Sequence, residues 1–98
     1  MASQFRPTSL QALRLAEHVY IHHAESAADL PADLPGFVSP SWFIYAAFTR
    51  GGALLLKKPS GQPLMFPTEA AATATIHDVR PDVEPDVRGD LSFLRSPR

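Results

Sequence analysis

The first regular pattern along the chain is an amphipathic stripe in residues 8–27. At about 100° per residue, its apolar positions fall on one broad face of a helix and its polar positions on the other. Pro7 precedes the segment, and Thr8 with Gln11 three residues later has the capping-box spacing that satisfies free backbone amides at a helix start. The pattern therefore predicts a helix from residue 8 to about residue 27.

Continuously apolar segments follow, and they are typical of strands. Residues 42–48 and 53–56 are rich in aromatic and aliphatic side chains and do not alternate between apolar and polar. A glycine turn at residues 50–52 separates them, and a second turn signal at residues 59–62 precedes a short third segment, residues 63–66. The sequence predicts two or three antiparallel strands. Strands that are apolar on both sides need cover on both faces, from the two helices or from a second subunit.

A second helix and a proline-rich arm complete the chain. Residues 67–79 begin with Thr68 as a candidate N-cap and carry Glu69 in the first turn. Residues 81–98 are rich in proline and charge, which is typical of an extended or disordered arm. The expected fold class is α+β: an N-terminal helix, a two- to three-stranded antiparallel β-sheet, a second helix and an extended C-terminal arm. Residues 1–80 are expected to form the single compact domain.

In the order of these elements the chain is similar to the double-stranded RNA-binding domain. The similarity spans residues 8–79 and is one of order alone. That family carries a basic cluster at the start of its second helix, where this chain reads PTEAAATA. The chain is therefore not assigned to that family.

Composition narrows the class of protein. The chain has 98 residues and no cysteine, which excludes disulfides and thiolate metal sites. Its apolar runs are far shorter than the roughly 20 residues that a membrane-spanning helix needs, and its N-terminus lacks the apolar core of a signal peptide. We therefore expect a cytoplasmic protein that does not bind membranes.

Charge is distributed unevenly along the chain, although the net charge is only −1. Residues 34–68 contain no acidic side chain, whereas three cations lie beside the predicted turns. These cations could bind a partner, or they could be the solvated ends of hairpins, where lysine and arginine normally protect sheet edges. The predicted partner-binding residues are the three cations and two aromatic residues of the first strand: Arg50, Lys57, Lys58, Trp42 and Tyr45.

Other chemistry is weakly indicated. His18, His22 and Glu25 share one face of the predicted first helix at spacings that could hold zinc, but no other segment offers a marked ligand pattern. The glycine-rich phosphate loops and the Gly-x-Ser-x-Gly hydrolase motif are absent. We therefore expect no enzymatic activity, no catalytic residue, no cofactor and no metal.

The functional expectation is a small non-enzymatic binding or regulatory module. It engages a protein partner through an apolar β-sheet with a basic rim, and a homodimer is the simplest assembly that would cover such a sheet. The alternative is a DNA- or RNA-binding regulatory protein that uses the basic hairpin. A protein partner is favoured because the six carboxylates after Thr68 would repel a polyanion.

Overall fold

The computed structural model describes residues 5–25, 41–50 and 52–89. Two helices and four strands occur in that part of the chain. In chain order they are α1 (Pro7–Leu15), β1 (His18–Ala24), β2 (Ser41–Phe48), β3 (Gly52–Leu55), α2 (Glu69–Val79) and β4 (Asp86–Arg88). The predicted α+β class is confirmed, with four strands in place of two or three. No helix in these residues is long and apolar enough to cross a membrane.

One mixed sheet, in the order β3-β2-β1-β4, forms the centre of the fold. β2 pairs antiparallel with β1 and β3, while β4 runs parallel to β1. Because side chains alternate along a strand, this register divides the sheet into two faces. The face that includes Ile21 and Ile44 packs against α1 and α2, and the opposite face holds a second buried cluster of Ala24, Phe43 and Tyr45. Both faces of the central strands therefore carry buried apolar side chains.

The main core lies between the sheet and the two helices. Leu13 of α1 and Ile76 of α2 are completely buried there, together with Ile21 and Ile44 of the sheet. Burying an aliphatic side chain of this size contributes about 1.5–3 kcal/mol relative to leaving it exposed. The helices are thus held to the sheet by hydrophobic packing on one face.

The first helix is shorter than predicted. α1 ends at Leu15, Ala16 is extended (φ −61°, ψ 138°), and His18–Ala24 forms β1. The prediction of one helix to about residue 27 is wrong because this segment, which contains the β-branched Val19 and Ile21, pairs along its whole length with β2. Residues 26 and 27 lie outside the described part of the chain.

The start of α1 also differs from the prediction. Pro7 occupies the first turn, Arg6 is the N-cap residue, and no side chain caps the helix. The predicted capping box of Thr8 and Gln11 is therefore wrong, since Thr8 already lies inside the helix. A proline at the first position is favourable because its missing N–H would have no partner there.

The later elements follow the prediction more closely. α2 begins at Glu69, and the Thr68 hydroxyl accepts a hydrogen bond from the Ala71 amide at 3.0 Å, so the predicted cap is confirmed. The predicted third strand at residues 63–66 makes only two isolated bridges, Lys57 with Pro63 and Trp42 with Phe66.

Part of the predicted C-terminal arm is extended and belongs to the sheet. Asp86–Arg88 forms β4, which makes the sheet mixed where an antiparallel one was predicted. Residues 90–98 lie outside the described part of the chain. The domain boundary at residue 80 stays a prediction.

Arg80 ties the C-terminal ends of the two helices together. Its Nη1 donates hydrogen bonds to the carbonyl oxygens of Leu13, Arg14 and Ala16 at 3.1, 2.9 and 3.1 Å. Carbonyls at a helix C-terminus have no partner within the helix, and a cation is favourable at that end of the helix dipole. Nε and Nη2 bind the Asp82 carboxylate, and these hydrogen bonds hold the pKa of Asp82 below its usual value.

We predict that Arg80→Ala lowers the free energy of unfolding by about 1–2 kcal/mol, because three α1-end carbonyls lose a charged donor. Arg80→Lys should recover only part of the loss, since an ammonium cannot copy the planar donor geometry. Urea unfolding at neutral pH measures both, with the exposed Arg14→Ala as a control for loss of a surface arginine. Equal stability of Arg80→Ala and the control would contradict the assignment.

Candidate functional site at the β3 edge

The predicted cations do not form one patch. Arg50 lies exposed in the turn between β2 and β3, whereas Lys57 and Lys58 follow the other end of β3. A strand advances about 3.3 Å per residue, so the four residues of β3 alone hold the two groups roughly 10 Å or more apart along the sheet edge. The strand is therefore flanked by positive charge at both ends.

Arg6 lies beside Lys57 and beside the turn that follows Lys58. Its backbone N–H donates to the Lys57 carbonyl at 2.8 Å, and the Lys57 N–H donates to the Ser9 hydroxyl oxygen at 2.9 Å. The Arg6 guanidinium lies against Gly61, which turns the chain with φ +96°; a Cβ at Gly61 would be 3.7 Å from Arg6 Nη2. Arg6, Lys57 and Lys58 are called the basic cluster below.

Among the described residues, no ion pair includes the basic cluster. The pairs there join His23 to Glu25, Arg80 to Asp82 and Arg88 to Asp86. Lys57 is half-buried and Lys58 is exposed. No carboxylate of the described residues therefore offsets these three positive charges by direct pairing.

The Arg50 end of β3 is electrostatically different. The Glu17 carboxylate accepts a hydrogen bond from the Thr49 N–H, and hydrogen bonding by Thr49 lowers the pKa of Glu17. Glu17 and Arg50 line the same shallow depression. A neighbouring groove of about 250 Å³ is lined by Glu17, His18 and Tyr20 among others. Positive charge at this end therefore has a carboxylate beside it.

The two predicted aromatic residues are part of the packed structure. His23 stacks on the Trp42 ring, with centroids 4.5 Å apart and planes 7° apart, and Trp42 exchanges two backbone hydrogen bonds with Phe66. Tyr45 is 2% exposed, in the buried cluster with Ala24 and Phe43. The structure does not place either ring as an open surface beside the cations.

The backbone groups of β3 alternate between the β2 side and the outer edge of the sheet. The Leu56 N–H donates to the Ile44 carbonyl at 3.0 Å, and inward and outward pairs alternate along an antiparallel ladder. By this alternation Leu54 turns its N–H and C=O toward β2, while Ala53 and Leu55 turn theirs to the outer edge. The same alternation turns Lys57 outward, where Arg6 and Ser9 bind its backbone groups. Within the described residues, no backbone hydrogen bond reaches the outer side of Ala53 or Leu55.

The side chains of β3 do not protect this edge. Its sequence, GALL, has no charge and no proline, and the Leu54 side chain is 44% exposed. Edge strands of natural proteins usually carry lysine or proline, or are covered by another segment, which prevents them from pairing with a further strand. β3 is thus an apolar edge strand with two outward backbone donors and two outward acceptors.

The opposite edge of the sheet is built differently. β4 is three residues long and carries Asp86 and Arg88, whose side chains pair at 2.8 Å. The Arg88 guanidinium also lies 5.5 Å from the centre of the Tyr20 ring. A short strand with charged side chains resists further pairing. Of the two edges of the described sheet, β3 is the better template for another strand.

The histidines of the predicted metal face are separated. His18 and His22 lie on strand β1 instead of a helix, and four strand residues span roughly 13 Å, so the helical spacing that suggested convergence does not apply. His18 is exposed, whereas His22 is completely buried, with the centre of its ring 6.4 Å from that of Phe43 and 6.3 Å from that of Tyr45. Glu25 follows the strand, 3.9 Å from His23 Nδ1. Within the described residues, no three potential ligands come together.

No protein-family model, no curated protein and no solved structure matches the chain. The candidate site is therefore assigned from its geometry alone. It consists of the apolar edge strand β3, the basic cluster at the C-terminal end of this strand and Arg50 at its N-terminal end.

Tyr45 gives a test of the buried face. Burial raises the pKa of Tyr45 to about 12, whereas an unfolded tyrosine ionises near pH 10. Because the folded-state pKa is the higher one, the stability from neutral Tyr45 is complete below about pH 10 and is lost as pH rises through about 12.

We therefore predict that the wild type loses stability between about pH 10 and pH 12 more steeply than Tyr45→Phe, which has no phenol to ionise. Urea unfolding at several alkaline pH values measures this difference. Parallel losses in the two proteins would mean that Tyr45 ionises as easily in the folded chain as in the unfolded one.

Proposed function

We propose that this chain is a non-enzymatic binding module that engages a protein partner by adding an extended segment of that partner to β3. The observation that carries the proposal is the outer edge of β3, where Ala53 and Leu55 direct their backbone groups away from the sheet. Strand addition uses main-chain hydrogen bonds for affinity and alternate side chains for specificity. The exposed Leu54 side chain offers an apolar contact beside the ladder.

The proposal keeps the predicted role of the cations but changes that of the aromatic residues. Arg50 and the lysines flank the binding strand, so they contact the ends of an added segment. Trp42 and Tyr45 support the strand from within the sheet, because His23 stacks on one ring and the other is buried. The sequence analysis expected the partner to bind an apolar face of the sheet. We propose instead that it binds an apolar edge of the sheet that has cations at both ends.

The basic cluster favours nucleic acid as a second candidate. Arg6 adds a third cation beside Lys57 and Lys58, and Lys and Arg side chains bind phosphates. Three cations are few for this purpose, however, and single-strand binding normally needs open aromatic rings for stacking. Neither Trp42 nor Tyr45 is placed for that role. A protein partner therefore remains the better proposal.

The test of strand addition compares two substitutions at one position. Leu55→Pro removes the outward N–H without breaking the β2–β3 ladder, and proline is tolerated on the outer side of an edge strand. Leu55→Ala also removes most of the side chain but keeps the N–H. Peptides are first selected from a random displayed library on the wild-type protein, and their affinities for both variants are then measured by fluorescence anisotropy.

We predict that Leu55→Pro weakens binding roughly tenfold beyond Leu55→Ala, because one main-chain hydrogen bond is lost. Circular dichroism shows whether each variant folds. If Leu55→Pro does not fold, Ala53→Pro removes the other outward N–H and is compared with the wild type. Equal affinities of the proline and non-proline proteins would contradict strand addition, as would a library that yields no binder.

We also predict that labelled duplex DNA, duplex RNA and single strands do not bind at about 50 mM salt. Anisotropy titrations measure this, with Lys57→Glu/Lys58→Glu as the charge-reversed control. Binding that falls steeply by about 200 mM salt and disappears in the charge-reversed protein would favour the nucleic-acid function instead.

A further inference from the structure

The charges around β3 indicate which side chains an extended partner segment carries. Beyond Leu55, the edge ends at the basic cluster, where Arg6 and Ser9 already bind the backbone groups of Lys57. An added strand must therefore stop pairing at this point, while its next side chains reach the cluster. No ion pair with a carboxylate of the described residues offsets the cluster, so it attracts an anion supplied by the partner.

We infer that the partner segment is an acidic-ended strand: a short apolar extended stretch that pairs with Ala53 and Leu55, with carboxylates at the end that lies against the basic cluster. This inference rests on the proposed strand addition and names the chemistry of its partner. Charge complementarity selects this occupant, since a strand that ended in lysine or arginine would meet like charge. The carboxylates determine the direction in which the segment binds and which segments are preferred. The backbone hydrogen bonds provide the part of the affinity that every extended segment shares.

A second copy of this chain fits the same edge less well. The self-pairing register that uses all four outward groups sets Ala53 opposite Leu55, with Leu54 at the two-fold axis. In this register Arg50 of one copy and Lys58 of the other lie just beyond the same end of the paired strands. Like charges brought together in this way are destabilising. The predicted homodimer is therefore disfavoured at this edge, and an acidic partner is favoured.

The test uses two synthetic peptides labelled with fluorescein. Each has five alternating valine and threonine residues, with two glutamates either ahead of them or after them. The first order places the acids at the basic cluster in antiparallel addition, and the second does so in parallel addition. Matched peptides carry glutamine in place of glutamate. The proteins are the wild type, Lys57→Gln/Lys58→Gln, and Arg14→Gln as the control for loss of a distant surface charge.

We expect the wild type to bind one glutamate peptide roughly tenfold more tightly than its glutamine match, because two rim ion pairs of modest strength are formed. Lys57→Gln/Lys58→Gln should lose this preference, and Arg14→Gln should keep it. The preference should also shrink as salt rises, since the contacts are at the surface.

The outcomes separate this inference from the proposed function. If both peptides of a matched pair bind equally and Leu55→Pro weakens both, strand addition stands and the acidic-ended partner is wrong. If no peptide binds in a manner sensitive to Leu55→Pro, the proposed function itself fails. If the chain self-associates in sedimentation experiments and Leu55→Pro makes it monomeric, the edge is occupied by a second copy, which overturns the inference.

Discussion

The pairing of β1 with β2 is the constraint on which the rest of the structure depends. All seven residues of β1 are in register with β2, from His18 opposite Ala47 to Ala24 opposite Ser41. This ladder places Ile21 and Ile44 on the face covered by the helices, and the second buried cluster on the other. With β1 and β2 at the centre, β3 pairs with β2 at one edge of the sheet and β4 pairs with β1 at the other. A one-residue slip would exchange the two faces.

The candidate site is a consequence of this arrangement. A four-residue strand at the edge of a buried sheet has its inward groups paired to β2 and its outward groups turned away. Among the described residues, Arg6 and Ser9 cover this edge at Lys57, and the same contact brings Arg6 beside Lys57 at the end of the strand. The proposed binding edge and the basic cluster at its end therefore arise from one local geometry. Arg80 supports the sheet indirectly, because it holds together the C-terminal ends of α1 and α2, the two helices that pack against the sheet.

Apart from the capping box at Thr8 and Gln11, local signals could be predicted from the sequence, and long-range ones could not. The Thr68 cap and the two glycine turns depend on neighbouring residues, and Gly52 and Gly61 indeed have positive φ. The predicted extent of the first helix was wrong because the alanine, valine and histidine residues of this segment fit both a helical and a strand periodicity. Only the pairing of the segment with β2 decides between the two. Arg6 could not be assigned to the site, because no sequence pattern connects it with Lys57. For the same reason, β4 could not be distinguished from an extended arm.

The measurement that tests the central claim most directly is amide hydrogen exchange in the free protein, followed residue by residue by NMR. The account predicts that the Leu54 amide, which faces β2, exchanges slowly, while the amides of Ala53 and Leu55 exchange within about an order of magnitude of unstructured rates. This alternation along three consecutive residues would show that the outer edge of β3 is unpaired in solution. Equal protection of all three amides would show that the edge is already occupied and would contradict the account.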